Sequence, residues 1–173
     1  GDFTPHQVNS LPPKAMDGFD AERVAGLSPE AMSGFEPEQI GGLPPEAMGG
    51  FDPERLGALP PNAVGGFHSQ QCGALPPAAM SGFEAEQLAE LDPKVVRSMD
   101  FKQFDQLPND AFAGFQPKQV SALRPKMFVG ISAEQFSQFS AEAITGLKPG
   151  SVRKISPKAL EDLDSEQMSG FSP

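Results

Sequence analysis

The 173-residue sequence has no Trp, no Tyr, one Cys and only two His. A single thiol, Cys72, forms no internal disulfide, so no covalent staple can hold the fold. His6 and His68 stand 62 residues apart and suggest no local metal-ligand motif. No apolar run approaches the ~18 residues that a membrane-spanning helix needs, so no membrane insertion is expected. Basic residues are scarce: 13 Lys and Arg stand against 23 Asp and Glu, a net charge of −10. That balance argues against nucleic acid and anionic membranes as main partners. The shortage is local. Residues 1–90 carry 3 basic and 13 acidic side chains, whereas residues 91–173 carry 10 of each. No secretory signal opens the chain. The opening GDFTP and the closing MSGFSP both fall inside the repeat described next, as in a fragment of a longer protein.

What the sequence has instead is 19 Pro, 18 Gly and 14 Phe. Pro and Gly at this level usually accompany disorder, but here the apolar residues are regularly spaced. From Phe3 to Phe171 an apolar residue returns at every eighth position without insertion or deletion, as in Leu27, Phe35, Leu43, Phe51 and Leu59. We number this position slot 1. Slot 6 is apolar in all 21 complete octads, as in Met32, Ile40, Met48, Leu56 and Val64. A repeat this strict dominates the fold.

The other slots explain the period. Slot 2 often holds a helix N-cap residue: Thr4, Asp20, Ser28, Asp52, Asp92, Asp100, Ser132, Ser140, Ser156 and Asp164. Slot 3 is Pro in 13 octads, at the first helical position, where its missing N–H costs nothing. Slot 4 is often Glu, at the positive end of a helix. Gln at slot 5 can close a capping box, as in SAEQ (132–135) and DSEQ (164–167), and slots 1 and 6 have the spacing of a hydrophobic staple. Gly fills slot 8 eleven times, where a left-handed exit would end each helix. Each octad therefore predicts one capped turn of α- or 3-10 helix. A continuous helix would carry interior prolines at about 3 kcal/mol each. In a strand, slots 1 and 6, five residues apart, would face opposite sides.

A sixteen-residue alternation lies above the octad. Slot 5 holds Gln, Arg or Ser in one set (Gln7, Arg23, Gln39, Arg55, Gln71, Gln87, Gln103, Gln119, Gln135, Ser151, Gln167) and Ala in the other (Ala31, Ala47, Ala63, Ala79, Ala111), with Val95 and Met127 as exceptions. Through residue 98, slot 1 alternates Phe and Leu in step. The expectation is a single elongated domain over residues 1–173, an all-α solenoid with two octads per coil, Phe stacked on one wall and Leu on the other. Two octads per coil give about ten layers and a rod on the order of 80–100 Å; three per layer would give about seven. Each coil would have only a thin apolar core, so stability must come from stacking neighbours. Between residues 99 and 138 bulk moves from slot 1 to slot 6, at Phe104, Phe112, Phe128 and Phe136, and local irregularity is expected near Phe101.

No catalytic, cofactor or metal site emerges, and the chain reads as a non-enzyme. Cys72 occupies an apolar slot, as a buried structural thiol would. GLKPGS (146–151) lacks the ending of a phosphate loop. Glu22, Glu30, Glu38, Glu46 and Glu54 form a column of carboxylates by sequence, but calcium needs six to eight oxygens converging on one point. With Thr only at Thr4 and Thr145, no Thr ladder suggests an ice-binding face.

The frame L-x-P-E-x-M-x-G and F-x-P-E-Q-I-x-G resembles the octapeptide arrays of the type L-T-x-x-Q-V-x-A-L in very large bacterial surface and secreted proteins. The apolar slots, Gln39, Gln87, Gln119 and Gln135, and the small slot 8 carry the resemblance across the whole chain. The Thr of that pattern is replaced by Pro, Asp, Ser or Glu, and the heavy slot 3 Pro is a departure. The resemblance implies an extracellular or cell-surface location and a spacer or scaffold role, and it supplies no catalytic residues. The alternative is a protein-binding module that uses the acidic surface. A protein partner or neighbouring repeats would be its contacts, and the isolated chain is expected to be a monomer.

Overall fold

The computed structural model describes residues 3–171. Every octad contributes one short helix and every helix begins at slot 3, from Pro5–Asn9 to Ser165–Ser169. Among the described residues there is no strand. All ten N-cap residues predicted from the sequence accept a backbone N–H with their side chains. The SAEQ and DSEQ capping boxes are both formed. The Gln, Arg and Ser octads are all α-helical. Six of the Ala-type octads, such as Pro45–Gly50 and Pro77–Gly82, tighten to 3-10 geometry.

Two octads per coil do not occur. The helices that pack together are three octads apart: Ala21–Ala25 on Pro45–Gly50, Pro53–Gly57 on Pro77–Gly82, Ala85–Ala89 on Asn109–Gly114. Side-chain bonds reach back 28 and 31 residues. One turn of the solenoid therefore takes about three and a half octads, and the chain makes about six layers, with a length of roughly 50–60 Å at helix spacings of 8–10 Å. The accessible surface of 8571 Å² is close to the ~8,100 Å² of a compact 18.3 kDa globule, which excludes a thin ten-layer rod. The separate Phe and Leu walls are lost for the same reason. An odd offset of three sets unlike octads on each other, so Phe and Leu mix along every wall.

The alternation makes two kinds of joint. In the Gln octads one side chain serves two layers. Gln71 Oε1 accepts the His68 N–H at 2.9 Å, while Nε2 donates to the carbonyls of Ile40 and Leu43 at 2.7 and 2.8 Å. Gln87, Gln103 and Gln119 repeat the pattern. In the Ala octads the joint is a glycine. A methyl added to Gly66 would collide with the Pro37 carbonyl, and one on Gly82 with that of Pro53. Here the expected left-handed helix exit is overturned: no described glycine has positive φ. At Gly34, Gly50, Gly66, Gly82, Gly114 and Gly146, slot 8 is Gly because another backbone presses on it, not because its own dihedrals require it.

Slots 1 and 6 form one continuous core, with Ile40, Met48, Leu56 and Val64 fully buried. Full burial of each such side chain is worth about 1.5–3 kcal/mol. The shifted bulk after residue 99 stays inside. Phe104, Phe112, Phe115, Phe136 and Phe139 make a chain of edge and tilted contacts with centroids 5.2–6.2 Å apart.

Candidate functional site

The irregular octad near Phe101 carries the clearest surface feature. Asp100 still caps its helix, accepting from Gln103 N, and Phe101–Asp105 forms in register. Phe101, however, takes the slot 3 place usually held by Pro and is 45% exposed. Twenty-nine residues on, at the position where Gly66 meets the Pro37 carbonyl, Gly130 meets the Phe101 ring instead: an added methyl would lie 2.7 Å from Cζ. Val129 beside it is also exposed. Together with Asp100, Arg124 and Lys126 these residues line an open hollow of about 440 Å³.

Arg124 is held from behind. Its Nη2 donates to the Met99 carbonyl at 2.6 Å, 25 residues back. Its Nε is buried without a hydrogen-bond partner among the described residues. The hollow thus offers an aromatic face, an aliphatic patch, two cations and the Asp100 carboxylate. The irregularity expected at Phe101 is therefore a change of surface, with the helix and its cap intact. Sequence reasoning did not single out Arg124 or Val129. The signal was present in LRPKMFVG, where Arg sits at the cap slot and Val at the small slot 7.

The remaining residues considered from sequence do not converge. Glu22, Glu30, Glu38, Glu46 and Glu54 are all exposed. They do not form a column, because successive octads lie on different sides of the coil. Among the described residues no group of three or more His, Cys, Asp and Glu could hold a metal ion. His6 and His68 are exposed at separate helix starts. Cys72 is buried. Burial pushes its thiol up to about 11; the Ser98 hydrogen bond opposes this and the Asp100 charge adds to it. A thiol held in that range is a poor nucleophile at neutral pH. No described helix is long and apolar enough to cross a membrane. No protein-family model and no curated protein matches the chain.

Proposed function

We propose that this chain is a structural spacer, a non-enzymatic repeat segment of a large bacterial surface or secreted protein. The observation that carries the proposal is the packing of helices on those three octads away, with glutamine bonds reaching to the fourth, through one unbroken core. Each layer then depends on its neighbours alone, so length can be added or removed in units without redesigning the rest. The surface location follows from the resemblance to octapeptide arrays. Solution scattering on a variant lacking residues 43–106 tests the proposal. Eight octads are removed, the alternation is kept, and the maximum dimension should fall by roughly 20 Å. Collapse of the variant, or an unchanged dimension, would overturn it.

A second reading, a protein-binding module, is favoured by the Phe101 hollow and by the acidic residues 1–90. Retention of one defined protein by the whole chain, lost with Phe101→Ser or with charge reversal at Glu38 and Glu46, would support it.

A further inference from the structure

Helices three octads apart pack closely along the solenoid, with one exception among the described residues. Phe101–Asp105 and Pro125–Phe128 do not close on each other. The ordinary form of this joint stands eight octads earlier, in the same slots. There Pro37–Gly42 packs on Pro61–Val64. Gly66 seats on the Pro37 carbonyl, and Gln71 donates to the carbonyls of Ile40 and Leu43. At the later joint Gly130 and Gln135 occupy the slots of Gly66 and Gln71, yet neither contact is made. The Phe101 ring fills the space where Gly130 would meet the Phe101 carbonyl. Gln135 does not reach the carbonyls of Phe104 and Leu107, and bonds only within its own capping box. Gln103 and Gln119 before it, and Gln167 after it, all reach back.

The surroundings of this gap let it move. The joints on either side are made: Pro93–Arg97 packs on Pro117–Ala122, and Asn109–Gly114 on Ala133–Phe136. The gap is therefore confined to one side of the coil. On the next side the layers are held by rings, with Phe139 centred 5.7 Å from Phe112 and 5.4 Å from Phe115. Apolar contacts are non-directional and tolerate rotation of one layer over another, whereas paired hydrogen bonds from one glutamine fix it. Beneath the gap Met99 and Met127 are buried, in the slots held by Phe35 and Ala63 at the ordinary joint. Unbranched thioether chains adapt to a changing space. Across the gap Arg124 serves as a strap. Its Nη2 donates to the Met99 carbonyl, and its Nε is buried without a partner among the described residues.

We propose that this joint is a hinge with two positions. In the open position, the one described here, the Phe101 ring is wedged against Gly130. In the closed position the ring, already 45% exposed, swings into solvent. Gly130 then seats on the Phe101 carbonyl, and Gln135 Nε2 bonds the carbonyls of Phe104 and Leu107. Closing exchanges a half-buried ring for two hydrogen bonds and a backbone contact, so neither position is favoured by a wide margin. The hinge bends the solenoid at one place. It rests on the geometry of this joint alone and stands whether or not the chain is a spacer.

Dipolar coupling between two nitroxides tests this in the whole chain. Lys102 and Lys126 are exposed on the two sides of the gap; Lys102→Cys and Lys126→Cys carry the labels, with Cys72→Val removing the native thiol. With Phe101 and Gly130 in place, the pair should give two distances, the longer being the open position. Phe101→Pro removes the wedge and places Pro at the first helical position, behind an extended Asp100 that accommodates it. It should shift the ratio toward the shorter distance by roughly tenfold or more. Phe101→Ala should shift it in the same direction. Gly130→Ala bars the carbonyl seat and should abolish the shorter distance, alone and combined with Phe101→Pro. Labels at Glu38→Cys and Asn62→Cys, in the same slots of the ordinary joint, should give one distance. Coincident melting curves for the labelled chains confirm that the fold is kept. A single distance at the 102–126 pair before any change at Phe101 or Gly130, two distances at the 38–62 pair, or a ratio that the Phe101 and Gly130 variants leave unmoved would overturn the proposal.

Discussion

Residues 27–98 and residues 99–139 run on the same octad backbone with different contents. In the first stretch Phe and Leu alternate at slot 1, and Gly66 and Gly82 seat directly on the carbonyls of Pro37 and Pro53. In the second, Phe moves into slot 6, and the equivalent joint at Gly130 is cushioned by the Phe101 ring. Slots 1 and 6 are buried in both. The difference teaches that core volume can be redistributed between the two inward columns, as in other cores that keep total volume. A backbone-to-backbone joint has no such freedom. Where it is relaxed, an aromatic ring becomes a surface feature.

Glycine substitutions should separate the two joints most widely. Gly66→Ala drives a methyl into the Pro37 carbonyl, which can be relieved only by moving a layer. A loss of about 3 kcal/mol or more is expected. Gly130→Ala meets only the edge of an exposed ring that can swing outward, and should cost less than about 1 kcal/mol. Denaturant unfolding of both variants measures the difference. Equal costs would mean that slot 8 is Gly for a local reason.

The glutamine joints should differ by a smaller margin. Gln71→Leu leaves the Leu43 carbonyl and the His68 N–H without a partner, and the Ile40 carbonyl with the Leu43 N–H alone. A loss of about 2–3 kcal/mol is expected, the scale of buried polar groups left unpaired. Gln135, in the aromatic stretch, makes only its capping-box bonds with Ser132 among the described residues. Gln135→Leu should cost about 1 kcal/mol, the worth of a cap. Thermal melts that rank the two alike would remove the distinction.

The last effect is one of pH, at the boundary between the stretches, where Cys72 meets Ser98 and Asp100. Its thiol stays protonated in the fold up to about 11, while an unfolded thiol titrates near ~8.5. Between those values the unfolded chain has released a proton that the native chain holds. Stability should therefore fall as pH rises from about 9 to 11, by at most about 1.4 kcal/mol per unit, and be constant in this respect below that window. Cys72→Val should remove that part of the decline. An identical decline in the variant would assign the decline to other groups.

The octad, its caps and its helix starts were legible because their signals lie within eight residues of one another. Ser132 and Gln135 find each other in one turn, and Pro37 fixes its own φ. The hollow was half legible. Phe101 announced itself by breaking slot 3, but Arg124 is brought to it only by a bond 25 residues back, to Met99.

The sequence by itself determined that each octad would be one capped helix and that slots 1 and 6 would face a core. Local dihedral preferences and cap hydrogen bonds decide those questions. Tertiary structure alone decided which octads meet. The angle between successive short helices accumulates into the pitch of the coil, and a small change in it exchanges a partner two octads away for one three away. From that choice followed the reason for most of the glycines at slot 8 and the second function of Gln71 and its counterparts.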